Sequence, residues 1–195
     1  MKKILYSLNF ALLACLASCT LPDDGPSYDA TIVNIDNLIT VDEVDSFTVG
    51  DVLWIDIQHP IVFQNEDGEK IDLEALQSPN FESVSYAYFA LFKKSGFENP
   101  QIISLSPEEL RAEIGEVEPN GTQILAYVRP DYEVGKYQAR VGIVLKEAGD
   151  FFINGLTTNN KVQLYVDGLE GQNVIFITTI NGADENQNYN FTVSE

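Results

Sequence analysis

The side chains that could do chemistry are few in kind. The 195-residue chain carries one histidine, two cysteines and one tryptophan among 30 acidic and 11 basic residues. Nucleophilic hydrolysis needs a base beside a hydroxyl or thiol. The single imidazole, His59, precedes Pro60 at the end of an apolar-alternating segment, where a strand-end surface residue is expected. No G-x-S-x-G turn is present. Thirty acids make carboxylate pairs unavoidable, but a glycosidase needs two of them about 5–10 Å apart across a cleft. Spacing alone does not supply that geometry, and a zinc site is poorly served by one histidine. Oxygen ligands suit calcium better. Asn65-Glu66-Asp67-Gly68, with Glu74 further on, partly matches an EF-hand loop, but Phe63 takes the first ligand position and Lys70 the usual apolar one. Asp67, Glu69 and Glu74 are therefore candidate calcium ligands of an irregular acidic loop, with Asp184-Glu185-Asn186 a second such turn. No other cofactor is expected.

The remaining chemistry is recognition. Trp54 falls opposite Leu53, Ile55 and Ile57 of its segment and beside Asp56, while Tyr127 shares a face with Arg129. An aromatic ring next to polar groups can stack a sugar, so Trp54, Tyr127 and Arg129 are the candidate ligand residues, with a glycan as ligand. A formal net charge of −19 argues against nucleic acid and anionic headgroups, which are bound through basic patches. The expected class is a non-enzymatic binding or accessory module. A structural or protein-interaction subunit of an outer-membrane complex is the alternative.

The first residues give an address. Lys2 and Lys3 precede an apolar run from Ile4 to Leu16, and small residues follow, which is the layout of a secretory signal. Leu16-Ala17-Ser18-Cys19 resembles a lipobox, the recognition site of bacterial lipoproteins. The resemblance implies cleavage before Cys19, acylation of its thiol and new amino terminus (palmitate among the acyl chains), and an effectively permanent membrane anchor. Residues 1–18 would be the signal, 19–29 the lipidated cysteine and a Pro/Gly-containing tether, and 30–195 one domain. Cys15 would leave with the signal, so the mature domain would hold no disulfide and nine basic against thirty acidic residues, a charge of −21. Ten tether residues reach at most about 35 Å. Asp23-Asp24 is similar to the acidic export signal of Bacteroidetes surface lipoproteins, although Leu21 and Pro22 intervene. That similarity implies an outer-membrane lipoprotein exposed on the cell surface, with a glycan or an outer-membrane protein as partner.

Positioning any of these residues falls to strands. Apolar residues alternate with period two over Ala30–Ile35, Asp51–Gln58, Val84–Lys93, Thr122–Arg129, Lys136–Glu147, Phe151–Ile153, Lys161–Val166, Val174–Ile180 and Tyr189–Val193. Asn-Gly and Asp-Gly turns separate many of them. The one helix signal, Ser106-Pro107-Glu108-Glu109, has room for a turn or two. The pattern predicts an all-β, antiparallel β-sandwich of immunoglobulin-like architecture, with a small open β-barrel as the alternative. Asn65 to Glu74 reads as a loop. Val84–Phe92 is apolar on both faces, so it should be a central strand whose second face is covered by a loop or a partner.

Overall fold

Strand propensity and alternation act together from Ala30 onward. The computed structural model describes residues 30–42, 44, 46–80, 83–96 and 98–195. The signal, Cys19 and the tether lie outside the described residues. The first eight strands are β1 (Ala30–Asn34), β2 (Ile39–Val41), β3 (Phe47–Thr48), β4 (Val52–Pro60), β5 (Val62–Gln64), β6 (Lys70–Asp72), β7 (Val84–Ser95) and β8 (Glu98–Ile102). A 3-10 turn, Pro107–Glu109, leads into β9 (Leu110–Ile114), β10 (Glu116–Asn120), β11 (Gln123–Asp131) and β12 (Lys136–Val144). The last four are β13 (Gly149–Asn154), β14 (Val162–Asp167), β15 (Asn173–Thr178) and β16 (Tyr189–Ser194).

The protein is an all-β sandwich, made by one large sheet that curls so that its two halves face each other. The continuous path runs β1-β15-β14-β7-β11-β12-β4-β2, and its ends approach through a parallel bridge between Ile39 and Ile180. Pairing is antiparallel except for β1 with β15 and β16 with β3. Two strands carry the chain between sheet regions. β7 pairs with β11 and β14 along its first half and with β13 and β8 along its second. β11 pairs with β7 and β10 up to Val128, then with β12 from Arg129.

Alternation sets the inner faces. Leu53, Ile55 and Ile57 of β4 and Ala139, Val141 and Ile143 of β12 meet Leu164 and Val166 of β14, Val174 and Phe176 of β15, and Ala87 and Phe89 of β7 in one core. Burial of this apolar surface is the main favourable contribution to folding. One expectation is corrected and another narrowed. The stretch Asn65 to Glu74 is not simply a loop: it holds β6, which pairs with β5 around a turn in which Asn65 Oδ1 accepts from the Glu69 amide. The Ser106 segment forms one 3-10 turn, capped by Glu109, before the chain becomes β9.

His59 is the larger correction. It is 1% exposed, inside the core rather than at the surface, because its odd position in β4 continues the inward series of Leu53, Ile55 and Ile57. Its ring stacks on Tyr137 at 4.6 Å and lies 4.7 Å from Phe176. Nδ1 is 3.2 Å from the Pro60 carbonyl, which can only accept, so Nδ1 carries the proton and Nε2 accepts from the Ser85 hydroxyl at 2.7 Å. Both nitrogens are satisfied in the neutral state.

Burial pushes the His59 pKa down from 6.5 to about 4. As pH falls through 6.5, the unfolded chain takes up a proton that the folded chain refuses. Stability is therefore lost between pH 6.5 and 4, by about 3 kcal/mol for a shift of this size. Urea denaturation at pH 7 and pH 4 should show that loss in the wild type. His59→Phe keeps a ring between Tyr137 and Phe176 and should show a loss smaller by that amount; an equal pH dependence would refute the assignment.

Candidate functional site: an aromatic sheet face

The outer faces of the curled sheet differ in chemistry. On one, cross-strand register aligns a row of side chains over six strands: Ile32 on β1, Ile175 on β15, Tyr165 on β14, Tyr86 on β7, Tyr127 on β11 and Glu116 on β10. The next row, two residues along, runs Asn34, Ile177, Gln163, Tyr88, Leu125 and Glu118. Five strand spacings make this face about 24 Å across. Ile32 is 51% exposed, and Ile175, Tyr165, Tyr86, Tyr127 and Tyr88 all retain partial exposure.

Three of the tyrosines form one cluster. Tyr86 and Tyr165 stack with centroids 5.3 Å apart and planes 14° from parallel, and Tyr88 meets both edge-on. At that spacing the parallel rings are offset, and one face of each is used by the other. The hydroxyls are tied down as well. Tyr86 donates to Asp167, Tyr127 to Glu118, and Tyr165 to Gln163. Burial, followed by the Asp167 carboxylate, raises the Tyr86 pKa far above the phenol range. The Glu118 hydrogen bond raises that of Tyr127. The phenols of Tyr86, Tyr127 and Tyr165 stay neutral at physiological pH.

The candidate residues separate. Tyr127 belongs to this face. Arg129 follows two residues on and pairs with Glu116. Trp54 does not join them. It sits on the outer face of the other half, opposite Gly142, whereas Arg129 is opposite Gln138. Four residues along and two strands across amount to about 16 Å. The indole occupies the space of the side chain that Gly142 lacks: an added Cβ would lie 2.9 Å from two carbons of its six-membered ring. Arg140 stands over that ring, 5.3 Å from its centroid. Arg140 also binds Asp42, Asp56 and Glu113, and the hydrogen bonds to Asp42 lead the upward shift of its own pKa. Trp54 is thus a half-buried lid on its own sheet, held by a cation that three carboxylates hold in turn.

The candidate calcium ligands are not brought together. Asp67 and Glu69 lie in the β5–β6 hairpin, where Glu69 accepts from Asn65, and Glu74 lies in the turn beyond β6. Asp184 spends its carboxylate on its own loop, accepting from the Asn186 and Asn188 amides and the Asn190 side chain. Among the described residues, no three His, Cys, Asp or Glu side chains are placed to hold a metal ion. A recess of about 280 Å³ beside β4, lined in part by Thr40, Gln58 and Lys136, leaves the His59 ring covered.

No protein-family model matches the chain. No curated protein matches it either. Among solved structures it is similar to the group B streptococcus pilus 2b backbone protein, with 12% identity, a TM-score of 0.26 and coverage of 82% of this chain. The chain spans 57% of that protein's length. A likeness at this level carries no functional information.

Sequence reasoning found Tyr127 and the doubly apolar strand, but not the cluster, because Tyr165 joins it only through the β7–β14 pairing. The signal that could have found it is parity: Gln163 and Tyr165 oppose the apolar Val162, Leu164 and Val166. The seat of Trp54 has a direct test, because this is the chain's one tryptophan. Gly142→Ala should push the indole off the sheet, red-shift its emission and lower stability by about 1–3 kcal/mol. Unchanged emission would show that the ring does not rest there.

Proposed function

We propose that the protein is a lipid-anchored, non-enzymatic module of the outer cell envelope, displayed at the surface, which acts as an interaction subunit through its tyrosine–isoleucine sheet face. The observation that carries the reading is the Tyr86–Tyr165 stack, partly exposed on a sheet face that is aromatic or aliphatic over five adjacent strands. A contiguous apolar face that keeps partial exposure in this way is a feature of interaction sites. A protein surface suits this face better than a sugar does. Rings already packed on one another and hydroxyls bonded within the sheet favour side-chain packing, whereas sugar stacking needs an open ring face. The anchor rests on the lipobox-like Leu16-Ala17-Ser18-Cys19. What supports the non-enzymatic part of this reading is an imidazole whose two nitrogens are both engaged inside the core.

Three measurements test this. Labelled palmitate should enter the wild type and not Cys19→Ser, and protease added to whole cells should remove the domain; labelling of Cys19→Ser would sink the anchor. On native gels of mild-detergent membrane extracts, the wild type should run in an assembly larger than itself. The Tyr86→Ser/Tyr165→Ser variant, shown by melting to be folded, should run alone. Retention on polysaccharide that depends on the same two tyrosines would instead identify the face as a glycan site.

A further inference from the structure

The docking face is graded from one edge to the other, and the grading restricts what can cover it. At the β1 edge its first row is aliphatic, with Ile32 and Ile175 in register, and in its second row Asn34 donates to Glu66. The middle is the tyrosine cluster. At the β10 edge it ends in Glu116 and Glu118, both exposed. The neighbouring cation, Arg129, is already paired with Glu116 and cannot neutralise Glu118, whose carboxylate accepts from Tyr127. The whole chain repeats this imbalance, with 30 acidic and 11 basic residues.

A second copy of the chain does not fit such a face. A two-fold axis along the strands through the tyrosines would lay each acidic edge on the other copy's isoleucines, and would desolvate Glu118, whose charge has no cation to receive it. The opposite stacking would bring the two acidic edges together and add like-charge repulsion. The footprint, about 24 Å by two or three side-chain rows, is at the low end for a specific interface. Selectivity therefore falls to charge.

On the basis of the docking reading above, we infer that the occupant is a different protein, whose contact surface is a flat apolar strip bordered on one side by lysine or arginine. The strip covers Ile175, Tyr165 and Tyr86, and the basic border lies over Glu116 and Glu118. Complementary charge at that border fixes the direction in which the partner lies across the strands and raises its rate of encounter.

The test is photo-cross-linking of the full-length, anchored protein in cells that express it, with p-benzoylphenylalanine at Ile175. The same probe at Gln58, exposed on the opposite outer face, is the control. The expected result is one discrete protein adduct from position 175 and none from position 58, with the partner's linked peptide carrying Lys or Arg beside an aliphatic run. Glu116→Lys/Glu118→Lys should lower the adduct yield at least tenfold while the melting profile stays that of the wild type. An adduct that requires Tyr86 and Tyr165 but ignores this charge reversal overturns the basic-border inference and leaves the docking reading standing. Adducts of the chain with itself, or with polysaccharide, also overturn the inference. No adduct at all overturns both.

Discussion

The register of β7 is the constraint on which the rest depends. This one strand is hydrogen-bonded to four others and passes from one sheet region into the next. Its inward residues, Ser85, Ala87 and Phe89, are small or fitted to the core, and its outward residues, Tyr86 and Tyr88, are large and partly wet. Because side chains alternate with period two, a slip of one residue would drive two tyrosines into space cut for alanine and serine. It would also pull Ser85 away from the His59 nitrogen it satisfies. Core and outer face are thus set by a single choice, and neither can be altered without the other.

The two outer faces handle polarity in opposite ways. Around Trp54, the sheet closes over its own chemistry: Arg140 covers the indole, and Asp42, Asp56 and Glu113 surround Arg140. Burial of Asp56 raises its pKa even beside that guanidinium, so part of the attraction offsets desolvation. Around Tyr86, the polar groups anchor phenol hydroxyls and leave hydrocarbon facing outward. Elsewhere the acids serve local turns, as Asp51 does for Thr48 and Asp184 for its loop, and such bonds lower the pKa of both carboxylates. The strong net charge is consequently spread over caps, turns and rims.

Much of the fold was legible in the sequence, and the limits have physical reasons. All nine alternating segments are strands, and Leu53, Ile55 and Ile57 face inward with Trp54 opposite them. Strands such as β2, β3, β5 and β6 escaped because two or three residues cannot display a period. His59 was misplaced since proximity to Pro60 suggested a frayed end, whereas β4 runs through Pro60 and keeps its parity. The candidate site was harder to read. Trp54, Tyr127 and Arg129 each have the outward parity expected, but which strands become neighbours is a long-range property. Tyr86 and Tyr165 lie 79 positions apart and meet only through the β7–β14 ladder.

The seat of the indole has a genetic consequence. Gly142 is flat extended backbone with no turn to form, so its missing side chain makes room for two neighbours, the Trp54 indole and a Val52 methyl that an added Cβ would meet at 2.5 Å. A larger residue at 142 becomes tolerable once 54 shrinks and the Val52 methyl turns aside, and a smaller residue at 54 leaves a hollow that 142 can then fill. In diverged descendants of this chain the two positions should change as a pair. Arg140, freed of its aromatic support, would be the third to drift.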